Sequence, residues 1–129
     1  CENALAVAKY LEQNDKVAYV NYCGLENDKY HALAEKYLPN GSCGVVSFGV
    51  KGGRKAAEEF MKHLKLGSIE THVADARTCC LHPASATHRQ MNDEELTACG
   101  VYPDLVRYSC GLEDAEDLIA DLEQAFAQI

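Results

Sequence analysis

The sequence predicts one α+β domain in which helices are layered on a mixed, largely antiparallel sheet. Segments of helical period alternate with short segments of strand period, in the order helix, strand, helix, strand, helix, strand, strand, short helix, strand, helix. Two strand segments follow each other directly between Ile69 and Leu81, which indicates that the sheet contains antiparallel pairs. No repeat, low-complexity tract or linker interrupts the 129 residues, so we expect a single domain over 1–129.

The first helix and the first strand open the chain. Asn3 is a candidate N-cap, because its side chain can accept a hydrogen bond from a free N–H of the first turn. The apolar residues of this helix that share one face are Leu5, Ala8 and Leu11. The run 17–20 is rich in Val and Tyr and predicts a short buried strand, which Gly24 closes.

A second helix and a second strand follow. Asn27 and Asp28 are predicted to open the helix, and Pro39 to end it. The apolar residues at helical spacing, which should face the core, are Tyr30, Leu33, Ala34, Tyr37 and Leu38. A strand is predicted over 44–50, where alternate apolar side chains point to one face.

The middle of the chain predicts a third helix and two short strands. The helix begins after Gly52 and Gly53 and ends before Gly67. Its predicted buried residues are Ala56, Ala57, Phe60, Met61 and Leu64. Alternation of Ile69, Thr71 and Val73 indicates a strand, and the run 78–81 indicates another.

The last third predicts a brief helix, a strand and a long helix. The brief helix starts at Asn92, and the strand over 105–110 places Arg107 and Ser109 on one face. Four acidic residues over 113–117 lie at the positive end of the last helix. The apolar residues that recur on its one face are Ala115, Leu118, Ile119, Leu122, Ala125, Phe126 and Ile129.

Charge and hydropathy exclude two classes of partner. The formal net charge is −8, and the 12 basic residues are scattered among 20 acidic ones, whereas nucleic-acid binding needs clustered Lys and Arg. No run of about 18 apolar residues occurs, so we expect no membrane span. Small molecules and protein partners remain.

Cysteine usage predicts a reducing compartment. The seven cysteines are odd in number, and two of them, Cys79 and Cys80, are neighbours. No Cys-x-x-Cys pair occurs, and no histidine lies at zinc-finger spacing from a cysteine pair. We therefore expect reduced, metal-free thiols and a cytoplasmic location.

Arg107 is the strongest candidate for a binding residue. A strand arginine with apolar neighbours loses hydration unless its guanidinium meets an anion, and its planar fork suits a carboxylate held through two hydrogen bonds. An internal salt bridge to one of the 20 acidic residues is the alternative. The residues alone leave both open.

Two runs carry a resemblance to a known family. They are 81–90, Leu-His-Pro-Ala-Ser-Ala-Thr-His-Arg-Gln, and 105–114, Leu-Val-Arg-Tyr-Ser-Cys-Gly-Leu-Glu-Asp. Together they resemble the C-terminal small domain of the fold-type I, pyridoxal-phosphate-dependent enzymes of Cys/Met metabolism. The resemblance spans essentially the whole chain but only about the last third of a family member. It implies that the chain is one domain of a larger enzyme, with the Schiff-base lysine upstream and the cofactor bound by the parent rather than by this segment.

The resemblance also implies roles for particular residues. Arg107 corresponds to the family's ligand for the substrate α-carboxylate. His72 stands where relatives carry Asn or Ser that helps to position the same carboxylate; its imidazole could donate one hydrogen bond, shift substrate choice or have no role. Ser85, Thr87 and His88 lie on a supporting loop. No catalytic, cofactor-binding or metal-binding residue is expected within the chain itself.

Within the family, the runs 46–53 and 87–90 are most similar to the O-acetylhomoserine sulfhydrylases. This similarity implies replacement of acetate by sulfide or a thiol, giving homocysteine or methionine, in a homotetrameric parent. Cystathionine γ-synthase, cystathionine γ-lyase and methionine γ-lyase are alternatives within the family. A free-standing, non-enzymatic domain that binds a small carboxylate or a protein partner is the alternative of another class.

Overall fold

The computed structural model describes all residues from 1 to 129. The helices are α1 (Glu2–Gln13), α2 (His31–Tyr37), α3 (Gly53–His63), α4 (Asp93–Ala98) and α5 (Ala115–Phe126). The strands are β1 (Val17–Asn21), β2 (Val45–Val50), β3 (Ser68–Ile69), β4 (Cys79–Leu81) and β5 (Leu105–Ser109), and a 3₁₀ turn covers Pro83–Ser85. The order of helices and strands is the predicted one, and the α+β class is confirmed. None of the helices has the length and apolarity needed to cross a membrane.

All five strands join in one sheet, in the order β1-β2-β5-β4-β3. β1 with β2, β2 with β5 and β5 with β4 pair antiparallel, whereas β3 pairs with β4 in parallel. The predicted mixed, largely antiparallel sheet is therefore confirmed. The consecutive strands that suggested antiparallel pairing are themselves the parallel pair, because the chain between them crosses over the sheet and returns in the same direction.

The crossing segment is longer than the sequence predicts. β3 ends at Ile69, so Thr71 and Val73, expected to continue the strand, lie exposed outside the ladder. Glu70 is the last residue that donates to β4, through its N–H to the Cys80 carbonyl at 3.0 Å. We call residues 70–77 the strap.

Three helices, α1, α3 and α5, pack on one face of the sheet. Phe48 of β2, Phe60 of α3 and Phe126 of α5 meet there, with ring centroids 5.8 Å (Phe48–Phe60), 6.2 Å (Phe48–Phe126) and 4.4 Å (Phe60–Phe126) apart. Burial of this apolar surface is the main stabilising contribution to the fold. The opposite face of the sheet, which we call the open face, carries none of these helices.

Asn3 does not cap α1, contrary to the prediction. The helix begins two residues earlier than predicted, with Cys1 at the N-cap position and no side-chain cap. The Asn3 amide instead donates to the carbonyls of Gly111 (3.0 Å) and Glu113 (2.6 Å). The prediction was wrong because a long-range contact to the loop before α5 uses the side chain that a local rule assigns to the helix end.

The predicted apolar face of α2 is mostly exposed. Ala34 is its only buried residue. The other residues expected to be buried are exposed: Tyr30, Leu33, Tyr37 and Leu38. Helical spacing identified the face correctly, but α2 lies outside the layer formed by α1, α3 and α5, so no element of this chain covers it.

The last helix follows the prediction, with one polar exception. Leu118, Leu122, Ala125 and Phe126 are buried as expected. Asp121 is buried as well, and its carboxylate accepts hydrogen bonds from three successive backbone N–H groups over 65–67. A charged residue on the buried side of α5 therefore fixes the chain after α3.

Candidate functional site

A row of paired residues crosses the open face. Register places Asn21, Ser47, Arg107 and Leu81 side by side on β1, β2, β5 and β4. Because side chains alternate along a strand, these residues point away from the helical layer while their neighbours point into the core. Arg107 lies near the middle of this row.

The strap crosses the open face above Arg107. The Arg107 Nη2 donates to the carbonyl oxygens of Thr71 (2.9 Å) and His72 (2.8 Å). Cys79, on the same face of β4, is fully buried near the strap. Burial raises the pKa of the Cys79 thiol, and the carboxylates of Asp75 and Glu70 raise it further. That thiol is therefore protonated and unreactive at neutral pH.

No carboxylate of the chain pairs with Arg107. None of the ion pairs in the structure includes it, so the internal salt bridge considered from the sequence is not formed. Its Nε is buried without a hydrogen-bond partner, and Nη1 makes no hydrogen bond to the protein. The two hydrogens of Nη1 are thus unused and available for an anion, whereas Nε lies out of reach of solvent.

His72 meets Arg107 through its backbone and not through its ring. Its imidazole is 74% exposed, and Nδ1 lies 3.4 Å from the Glu70 Oε2. The structure therefore brings the two predicted substrate-binding residues together, with the imidazole at the edge of the site and free to reorient.

The predicted supporting loop starts next to Arg107 and leads away from it. Ser85 Oγ lies 2.8 Å from the His82 Nδ1, and His82 Nε2 donates to the Pro103 carbonyl at 2.7 Å. Thr87 Oγ1 lies 2.9 Å from the His88 Nδ1, at the surface. None of Ser85, Thr87 and His88 bonds to Arg107. His82, to which the sequence assigns no role in the site, is the buried residue that joins this loop to the chain before β5.

The strap is anchored by residues that the sequence analysis did not assign to the site. Ser109, on the same face of β5 as Arg107, accepts a hydrogen bond from the Ala74 N–H at 2.9 Å. Thr78 donates to the two carboxylate oxygens of Glu113 through its N–H (2.7 Å) and its hydroxyl (2.8 Å). Burial would raise the pKa of Glu113, but the hydrogen bonds from Thr78 and from its own backbone N–H, together with the nearby Arg77 charge, outweigh burial and hold that pKa below its ordinary value.

Gly111 allows the strap and the loop before α5 to approach closely. A Cβ at this position would lie 2.5 Å from the Ala76 carbonyl oxygen and 2.5 Å from the backbone carbon of Arg77. The N–H of the next residue, Leu112, donates to the same Ala76 oxygen at 2.8 Å. The one sequence signal for this contact is a glycine between β5, which carries Arg107, and the acidic residues at the start of α5.

Comparison with known proteins shows the family. Residues 1–127 match the family described as Cys/Met metabolism PLP-dependent enzyme. The chain belongs to this family. It is 48% identical over 124 residues to the homocysteine synthase of Schizosaccharomyces pombe, covering 96% of this chain and 29% of that protein. It is 46% identical over 126 residues to O-acetyl-L-homoserine sulfhydrylase 1 of Thermus thermophilus, covering 98% of this chain and 30% of that protein.

A solved structure of a family member has the same fold. The O-acetylhomoserine (thiol)-lyase of Campylobacter jejuni, which contains a pyridoxyl-lysine, superposes with a TM-score of 0.89 at 36% identity, over 98% of this chain and 30% of that one. The predicted family and fold are confirmed. The chain spans about three tenths of the length of these relatives.

The residues of this chain do not fit the family's cofactor. None of its eight lysines lies on a strand, so no strand of the open face supplies an amine for a Schiff base. No group of three or more His, Cys, Asp or Glu side chains is placed to hold a metal ion. What the open face offers is one guanidinium without an anion.

Proposed function

We propose that this chain is the C-terminal domain, over 1–129, of a pyridoxal-phosphate-dependent O-acetylhomoserine sulfhydrylase, and that Arg107 binds the substrate α-carboxylate. The observation that carries the assignment is a guanidinium on the open face with no carboxylate partner and with unused N–H groups. The names of the similar family members support the substrate class, an amino acid acetylated on its side-chain oxygen.

In this proposal the remainder of the enzyme holds the cofactor, which supplies an electron sink for carbanions at the substrate carbons. Arg107 binds the α-carboxylate and so orients the amino acid for loss of its Cα proton. The strap shields one edge of the guanidinium from water, since its two carbonyl oxygens occupy Nη2. The overall change is replacement of acetate at the γ-carbon by sulfide or a thiol.

The other predicted residues take secondary roles. The His72 imidazole donates a hydrogen bond to the same carboxylate after turning away from Glu70, a contact that its 74% exposure permits. Ser85, Thr87 and His88 keep the loop after β4 in place beside the site. Neither role includes a proton transfer.

The parent is proposed to be a cytoplasmic homotetramer. Seven unpaired cysteines fit a reducing compartment. The exposed apolar face of α2 fits a chain that is part of a larger assembly. Light scattering on the full-length enzyme tests the subunit number, and cell fractionation tests the compartment.

The decisive test of function is a kinetic comparison in the full-length enzyme. Arg107→Ala should reduce kcat/KM for O-acetyl-L-homoserine with sulfide by about 30-fold or more, since truncating one partner of a buried charged pair costs about 2–5 kcal/mol. Arg107→Lys should recover part of the loss, because a point charge does not reproduce the planar fork. Arg89→Ala, which removes an exposed arginine, is the matched control.

Three outcomes would count against the proposal. An unchanged kcat/KM for Arg107→Ala, with a lowered Tm, would make Arg107 a structural residue. Greater activity with cystathionine or methionine as the substrate would move the enzyme to another branch of the family. No turnover of any amino acid by the cofactor-loaded enzyme would favour the non-enzymatic alternative.

A further inference from the structure

The strap depends on few hydrogen bonds for its position. Residues 71–77 are all exposed, and none of them belongs to the sheet. Between Glu70 and Thr78, five hydrogen bonds tie the strap backbone to the sheet and its neighbours. They run from Arg107 to the Thr71 and His72 carbonyls, from the Ala74 N–H to Ser109, from the Leu112 N–H to the Ala76 carbonyl and from the Cys79 thiol to the Arg77 carbonyl. Such segments are the ones most easily displaced by loss of a single contact.

The bond at Ala74 differs from the others because it fixes a strained turn. Ala74 has a φ of 61°, in the left-handed region that non-glycine residues rarely adopt. Its N–H donates to the Oγ of Ser109, which is 1% exposed. Strained backbone persists where surrounding contacts over-determine it, and Ser109 supplies such a contact.

The carbonyls that bond to Arg107 belong to Thr71 and His72, three and two residues before this turn. Nη2 has two hydrogens, and each of these carbonyls accepts one, so their positions fix the plane of the guanidinium. Ser109 is two residues beyond Arg107 on the same face of β5. It therefore holds the strap two residues after His72, whose carbonyl is one of the two that bond to Arg107.

We propose that Ser109 is a positioning residue for the Arg107 anion site, acting through the Ala74 turn and the two strap carbonyls; this inference rests on the proposed function. Ser109 is not placed in contact with the substrate. Its hydroxyl helps to fix the plane of the Arg107 guanidinium and thereby the direction of the unused Nη1 hydrogens, which matters because a charge-assisted hydrogen bond to the carboxylate depends on that direction.

The test is the KM for O-acetyl-L-homoserine in the full-length, cofactor-loaded enzyme. Ser109→Ala should raise KM about three- to tenfold and change kcat by less than about twofold, since a misaligned carboxylate ligand weakens ground-state and transition-state binding together. Amide exchange at Ala74 should become faster. Ser42→Ala, in the loop before β2, is the control for the same substitution and should leave KM unchanged.

A double-variant cycle separates positioning from general stability. In an Arg107→Lys background, Ser109→Ala should raise KM no further, because the planar fork that it aligns is absent. An equal multiplication of KM in both backgrounds, or a lowered Tm with an unchanged KM, overturns the Ser109 proposal while Arg107 keeps its role. An unchanged KM for Arg107→Lys and Arg107→Ala overturns the proposed function itself.

A second substitution covers the case in which Ser109→Ala does not fold. Ser109→Cys keeps the shape of the side chain and offers sulfur, a weaker acceptor. It should also raise KM and speed amide exchange at Ala74. A folded Ser109→Cys enzyme with the KM and exchange rate of the unaltered enzyme overturns the proposal.

Discussion

Removing the buried carboxylate of Asp121 should strongly destabilise the domain. Its oxygens accept the N–H groups of Lys65 (2.8 Å), Leu66 (2.9 Å) and Gly67 (2.9 Å), so one side chain closes the loop between α3 and β3. A hydrogen bond to a charged group contributes about 1.5–3 kcal/mol, and a buried donor left unpaired costs about 1–3 kcal/mol. Because water can reach two of the three donors in part, we expect Asp121→Ala to lower the unfolding free energy by about 3–5 kcal/mol.

Urea unfolding of the 129-residue chain, followed by circular dichroism, measures this loss. With a slope of about 1–3 kcal/mol per molar urea, the midpoint should fall by about 2 M. Asp121→Asn keeps one acceptor oxygen and should lose about half as much. Glu123→Ala, an exposed carboxylate on the same helix, should change stability by less than about 0.5 kcal/mol. Equal midpoints for the Asp121→Ala and Glu123→Ala chains would refute the reasoning.

Three other outcomes concern the loop before α5 and the lysines. Gly111→Ala should lower the free energy of unfolding by about 1–3 kcal/mol or more, because the new Cβ would lie 2.5 Å from backbone atoms of the strap. Gly44→Ala is the control and should be tolerated, because its Cβ would meet only the Cys110 carbonyl oxygen, at 3.7 Å. Equal urea midpoints for the two variants would contradict this reasoning. Folding lowers the pKa of Glu113 below its ordinary value of 4.5. The ionised Glu113 therefore stabilises the fold at pH values above 4.5, and this contribution is lost as the pH falls through the pKa of Glu113 in the folded chain. The stability difference between the unaltered chain and Glu113→Gln should therefore shrink between pH 7 and pH 3, and a constant difference would count against the Thr78 contacts. Borohydride reduction of the isolated chain with pyridoxal phosphate should label no single dominant lysine, and one stoichiometric site would overturn the placement of the Schiff-base lysine outside this chain.

Periodicity predicted the fold well where an element buries one face against the rest of the chain. β5 has the predicted bounds within one residue, and α5 has the predicted buried face, although it ends at Phe126, three residues before the predicted Ile129. The same reasoning failed for α2, because spacing identifies an apolar face but not whether another element covers it.

Polar residues that act over long sequence distances could not be predicted. Asn3 bonds to a loop more than 100 residues away, and Asp121 bonds to a loop more than 50 residues away. Local rules assign such side chains to helix caps or to solvent, since nothing in a single sequence marks their distant partners.

The sequence pointed to Arg107 as the centre of the candidate site, but it did not predict the contacts that hold the strap above Arg107. Strand position and the family motif pointed to Arg107, and strand alternation placed Ser109 on the same face. Contacts of Arg107 to the strap use backbone carbonyls, which every residue has, so no residue type signals them. Alternating residues suggested a strand through Val73, but the contacts to Arg107 and the turn at Ala74 take the chain out of the sheet after Ile69.

The central claim is that the Arg107 guanidinium holds the substrate carboxylate. A crystal structure of the full-length, cofactor-loaded enzyme with an unreactive amino-acid analogue tests it most directly. The account predicts a carboxylate oxygen about 2.7–2.9 Å from Arg107 Nη1, with the Thr71 and His72 carbonyls still on Nη2. A carboxylate bound elsewhere, with an acidic side chain from the rest of the enzyme paired to Arg107, would contradict it.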